Sequence, residues 1–162
     1  MIKKIEIERF SLTTSKPFDE VIAGVNSAVG HPDMVEFGSV THEARSFAEL
    51  KSVVERNLGK AEDAVCAVGS WRDLAERNGN ETLKIVRFVI GNPLIMKEMA
   101  KHVPDAGSYA PVTVLVDERA DGVHLSYDRM ASLLAPYENR DALEVARNLD
   151  RKIGDLLREA AA

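Results

Sequence analysis

Three clusters of side chains in this 162-residue chain have the chemistry to hold or transform a ligand. The first lies in "VIGNPLIMKEMAKHVPDAG", Val89 to Gly107, where an apolar run passes through Gly-Asn-Pro into a short helical pattern. Asn92 stands where an N-cap belongs and Pro93 at the first helical position. The free amides of the helix start and the Asn92 side chain can therefore bind an anion or a carbonyl. Met96 and Met99 follow as polarizable thioethers, and Ile95, Met99 and His102 recur at i, i+4 and i+7 on one face. Each feature also has a structural use. A capped helix start accounts for all of Gly-Asn-Pro, methionines fill cores, and a histidine suits the negative end of a helix dipole.

The second cluster is "HLSYDRM". His124, Ser126 and Asp128 alternate with Val123, Leu125 and Tyr127, so the polar three leave the opposite face of a strand, one that is open to water or covered by a ligand or subunit. Asp128 and Arg129 can orient an anionic or polar ligand there. The structural alternative makes Asp128 the cap of "RMASLLAPY". The third cluster is dispersed: His31, His42, His102 and His124 show no His-x-x-x-His or two-residue spacing, so no ready zinc site is encoded. Haem is a conceivable ligand, with His31, His42 or His102 as axial donors and Met96 or Met99 as soft partners.

No nucleophile elbow, Gly-x-Gly-x-x-Gly or phosphate-loop pattern is present, and no paired carboxylates stand out. Cys66 is the single cysteine, which excludes an internal disulfide and a cysteine zinc cluster; in "DAVCAVGSW" it reads as a small buried hydrophobe. A formal charge of −5 and a pI near 5.4 argue against nucleic acid and anionic lipid as partners. No stretch approaches the roughly 20 apolar residues of a membrane span, and a soluble, cytoplasmic protein is expected. With 45% hydrophobic and 29% charged residues, the chain is large enough for one domain with its own core.

The elements that must position these clusters follow from periodicity. Ile2 to Phe10 alternates as a strand with one wet face, and "TTSKPFDEVIAGVNSAVG" predicts a helix capped by Ser15 and stopped at Gly30, with Phe18, Val21, Ile22, Val25 and Val29 buried. "HPDMVEFGSVTHEA" fits a short helix or an irregular excursion. "SFAELKSVVERNLG" carries a Ser46/Glu49 capping box and buries Leu50, Val53 and Val54. "DAVCAVGSW" predicts a short strand, "RDLAERNGNE" a helical turn or loop, and "LKIVRFVI" a central strand covered on both sides, with Arg87 its exception. "APVTVLVDE" and "VHLSYD", joined by "RADG", form the clearest hairpin. "NRDALEVARNLDRKIGDLLREAA" is a long amphipathic helix with Asn139 as cap and Leu143, Ala146, Leu149, Ile153 and Leu156 on its apolar side.

The order of features in "RFVIGNPLIMKEMAKHVPDAGSYAPVTVLVDERADGVHLSYDRMASLLAP", followed by "VARNLDRKI", resembles the domain of unknown function 302 family. The similarity runs from Leu83 to Leu157, with a looser match at "SKPFDEVIAGVNSAV". The resemblance implies a small α+β protein with a tendency to form homodimers. Many relatives have one cysteine before Asn-Pro and another after the Pro-rich turn. Gly91 and "YAPV" occupy those places here, so thiol chemistry suggested for relatives lacks its residues. The segment from His31 to about Gly59 is a further departure.

The expected architecture is thus an α+β two-layer sandwich, a mostly antiparallel, mixed sheet with helices packed on it, as one domain over residues 1–162. The expected function is a homodimeric, non-catalytic binder of a small, largely apolar molecule held between sheet and helices. Asn92, Pro93, Met96, Met99, His102, Tyr127 and Asp128 form its expected binding set. The alternatives are an enzyme working through Asp128, Arg129 and His124 or His102, and a dimerisation module. The module would pair through the hairpin face or through an exposed stripe of Leu143, Leu149 and Leu156.

Overall fold

Among the residues that the computed structural model describes, 4–70 and 84–162, five strands pair into one antiparallel sheet. They are β1 (Arg9–Thr14), β2 (Ala64–Ser70), β3 (Ile85–Gly91), β4 (Val112–Arg119) and β5 (Gly122–Asp128), in the spatial order β1-β5-β4-β3-β2. The β4–β5 hairpin turns through Ala120 and Asp121, as the "RADG" motif predicts. Every pairing is antiparallel.

Side-chain alternation gives the sheet two unlike faces. Val86, Phe88 and Ile90 of β3, Val112, Val114 and Val116 of β4, and Val123, Leu125 and Tyr127 of β5 are all buried under helices. The opposite face carries Arg9 and Ser11, His124, Ser126 and Asp128, Thr113 and Leu115, and Arg87, at half-buried or exposed positions. Among the described residues β3 is therefore covered on one face only. Its near-continuous apolar run misleads because Ile85 and Val89 stand on the open side beside the exposed Arg87.

The helices are α1 (Phe18–Ala28), α2 (Met34–Glu43), α3 (Phe47–Arg56), α4 (Pro93–Ala100), α5 (Met130–Leu134) and α6 (Arg140–Ala161), with 3-10 turns at Pro104–Ser108 and Ala135–Tyr137. α6 is central to the helical layer. Its Ala142, Ala146, Leu149, Ile153, Leu156 and Leu157 are buried against the sheet and against α1, α4 and α5. At about 25 cal/mol per Å² of apolar area, a stripe of this kind supplies much of the attachment of sheet to helices. Leu149 and Leu156 lie 5% and 3% exposed and Leu143 is half-buried against the core, so the stripe faces the interior of the domain.

Other local expectations shift. The strand expected over Ile2 to Phe10, whose first residues lie outside the described ones, runs Arg9–Thr14 and leaves out Lys4 to Glu8, because its partner β5 pairs only from Thr14 opposite Val123 to Arg9 opposite Asp128. One further bond, Arg129 N to Glu8 O at 2.9 Å, ends that ladder. α1 begins after Pro17 with no side-chain cap, so Ser15 does not fill that role; Asp19 and Glu20 lie in its first turn as expected. "MVEFGSVTHE" is helical, capped by Asp33, yet α2 buries no residue. The Ser46 cap of α3 and the Asn139 cap of α6 stand as predicted, and Val53 and Val54 are buried. "RDLAERNGNE" lies outside the described residues. No helix among them is long and apolar enough to cross a membrane.

Candidate functional site

The Gly-Asn-Pro turn resolves into a cap. Asn92 Oδ1 accepts from Leu94 N at 2.9 Å, and Asn92 Nδ2 donates to Glu62 O, also at 2.9 Å. Both ends of the amide are committed, one to its own helix and one to the loop before β2. Met99 is wholly buried in the core and His102 is exposed beyond the end of α4. Pro93 and Met96 line a shallow apolar dimple of about 110 Å³ with Gly91, Asn92, Ala110 and Pro111. Beneath it, where Ile90, Ile95, Met99 and Leu149 meet, the space between sheet and helices narrows to about 10 Å³, scarcely one water. Among the described residues the expected apolar pocket between the layers is filled by packing.

In "HLSYDRM" the structure separates neighbours that the sequence places together. Asp128 points to the open sheet face and takes a two-pronged bond from Arg9, Nε to Oδ1 at 2.6 Å and Nη2 to Oδ2 at 2.9 Å. Those bonds hold the Asp128 carboxyl below its ordinary range. Asp128 does not cap α5. That task falls to Asp150 of α6, whose Oδ1 accepts from Met130 N at 2.8 Å and Oδ2 from Ala131 N at 3.2 Å. Asp150 also accepts the Tyr127 hydroxyl at 2.7 Å, and Arg129 Nε lies 3.4 Å away. Burial first, then the neighbouring Asp150 charge, drives the Tyr127 hydroxyl far above its ordinary range, so it acts as a donor and not as an acid. Arg129 pairs with Glu8 as well, away from Asp128.

The described histidines are dispersed in space as in sequence. His31 Nε2 bonds the Asn26 carbonyl at 2.9 Å, His42 is exposed near the end of α2, and His102 is exposed beyond α4. None of these lines a described cavity of haem size, and no three potential ligand side chains cluster among the described residues. His124 is tied to Asp121 at 2.8 Å and to Thr13 Oγ1 at 3.3 Å. Asp128, Arg129 and the histidines therefore do not converge on one reacting position, as an acid-base site requires.

One concavity that sequence reasoning missed is a cleft of about 530 Å³ on the open face of the sheet. Its strand residues include Arg9 opposite Asp128, Leu115 opposite both Ser126 and Arg87, and Thr113, itself opposite Val89. Tyr109, Pro111, Tyr127, Met130 and Leu133 of α5 also line it. Arg9 is neutralised by Asp128. Arg87 is different: its guanidinium donates to the Thr113 hydroxyl at 3.3 Å and has no carboxylate partner among the described residues. The signal was present in the sequence, since Arg87 is the lone charge in "IVRFVI". Pro111 lines both this cleft, with Tyr127 and Asp128, and the dimple, with Asn92, Pro93 and Met96.

An antiparallel sheet, helices on one face and a cleft-bearing open face together define an α+β sandwich with a one-sided core. The family model described as domain of unknown function DUF302 matches residues 39–160, and the chain belongs to that family. The match begins inside α2, so α3 lies within it. The fold is similar to that in the crystal structure of the uncharacterized conserved protein DUF302 from Bacillus stearothermophilus. That similarity has a TM-score of 0.62 at 12% identity, covering 94% of this chain and 97% of the other. Among curated proteins none matches the chain.

Proposed function

We propose that this domain binds a small amphipathic molecule, anionic at one end and apolar along its body, on the open face of the sheet. It does so as a homodimer and without turning the ligand over. One observation carries the reading: a cleft of about 530 Å³ sets Arg87, free of any described carboxylate, beside Leu115, Pro111 and Leu133. That volume falls among those of small-molecule sites, and a guanidinium is the residue of choice for a carboxylate or phosphate head. The mixed lining moves the expected ligand from largely apolar to amphipathic. The half-buried Ile85, Val89 and Leu115 leave apolar surface on the same face, which supports pairing of two copies there.

The test is a fluorescence titration with anilinonaphthalene sulfonate, an anionic aromatic probe, read beside native mass spectrometry. Arg87→Ala should weaken binding about tenfold, the loss of one charge-assisted hydrogen bond. An unchanged titration in that variant sinks the assignment of the anionic end. A saturable but monomeric protein would retain the cleft and remove the dimer.

A further inference from the structure

Asp63 is 0% exposed, and neither of its carboxylate oxygens has a hydrogen-bond partner among the described residues. A buried acid without partners is tolerated when neutral and unfavourable when charged. Its position is the neck of the excursion that α2 and α3 make from the body. The amides of Gly30 and Gly59 both donate to Asp63 O, at 2.9 and 3.0 Å, and Ala61 N donates to Ala28 O at 2.8 Å. The chain closes so tightly here that a Cβ on Gly30 would lie 1.9 Å from Asn57 O, and one on Gly59 2.3 Å from the Val29 carbonyl carbon. The next residue back, Glu62, links the neck outward: its carbonyl accepts from Asn92 Nδ2 at 2.9 Å and its carboxylate from Lys152 Nζ at 2.8 Å.

Beyond that neck the excursion is lightly held. α2 buries nothing, Met34, Val35 and Phe47 are 42%, 85% and 51% exposed, and α3 contributes Val53 and Val54 to the interior. Lys97 of α4 stands 3.6 Å over the Phe47 ring. Segments with so few buried contacts open at a lower free energy than the sheet.

We propose that Asp63 is a proton-dependent latch: neutral, it lets the neck close and keeps residues 31–59 against the body; charged, it opens the neck and releases α2 and α3. Among the described residues two charges act on it, Lys152 from α6, which favours the ionised form, and Glu62 from its own loop, which opposes it. Lys152 is already committed to Glu62, and the backbones of Val29, Gly30, Asn57, Gly59 and Asn92 around the neck bring no charge. Burial, reinforced by Glu62, outweighs Lys152 and pushes the carboxyl up to about 6. A raised carboxyl pKa means that the closed state holds its proton more tightly than the open one. Closure is thus fully favoured below about pH 4, the ordinary aspartate value. It weakens as pH rises to about 6, roughly a hundredfold in all, and stays at that level above.

Hydrogen exchange of the full chain, corrected for the intrinsic pH dependence of exchange, reads this directly. Between about pH 4.5 and about pH 7, protection of the α2 and α3 amides should fall by more than tenfold relative to β4 and β5, within the hundredfold limit set by the shift. In Asp63→Asn, which cannot charge, the same amides should hold their protection. Parallel behaviour of the two proteins overturns the latch. A carboxyl-carbon titration of Asp63 in the unaltered protein covers a variant that does not fold: a midpoint near the ordinary aspartate value overturns the latch, and one near 6 with a matching loss of protection supports it.

Discussion

Replacing Asp150 with alanine should cost this domain more than any surface change. The side chain is 3% exposed and accepts from the Tyr127 hydroxyl at 2.7 Å, Met130 N at 2.8 Å and Ala131 N at 3.2 Å. The Tyr127 and Met130 donors are buried and the Ala131 amide is half-buried. Each buried donor left without a partner costs about 1–3 kcal/mol, and Met130 N keeps a weaker bond to the Tyr127 oxygen, so the sum is roughly 4 kcal/mol. That is a large part of the roughly 5–15 kcal/mol that holds a domain of this kind together. Tyr127→Phe removes only one of the bonds to the carboxylate and should cost about 2 kcal/mol. Asp150→Asn keeps one acceptor oxygen and should fall between the two. Urea unfolding followed by far-ultraviolet circular dichroism measures all three, and the double variant shows the coupling across the pair. If Asp150→Ala unfolds within about 1 kcal/mol of the unaltered protein, the role assigned to this carboxylate in joining β5, α5 and α6 is wrong.

Two further replacements separate structural from exposed polar groups. Asn92→Ala loses the α4 cap and the bond to Glu62 O, and urea unfolding should show a loss of about 1–2 kcal/mol while probe binding at the cleft is unchanged. Asp128→Ala breaks the pair with Arg9, whose side chain is 64% exposed, and should shift stability by less than about 1 kcal/mol; a loss above about 2 kcal/mol would mean that Asp128 has a buried role.

The polar groups of this protein show where one-dimensional reasoning stops. Asn92 was legible because capping is local: the residue, the proline after it and the amide it serves lie within three positions. Asp128 was misleading for the same reason. It occupies a plausible cap position before α5, yet the caps come from Asp150, 20 residues away from Met130, and β5 turns Asp128 to the other face. Arg9 and Asp128 meet across 119 positions through strand register, and no local pattern announces such a pair. The cleft also depends on this register, since Arg87, Leu115 and Ser126 come from three strands.

By itself the sequence determined the hairpin, the helix starts at Asn92, Ser46 and Asn139, and the apolar side of the terminal helix. These rest on periodicity and on hydrogen bonds between near neighbours, which act over a few residues. Only the tertiary structure decided that β3 has one open face, that the interlayer space is filled by residues including Met99, and that Asp63, Asp117 and Asp150 are buried acids. Burial and strand register are properties of distant segments brought together, and the free energy of a buried carboxyl depends on which of those segments supply it with donors.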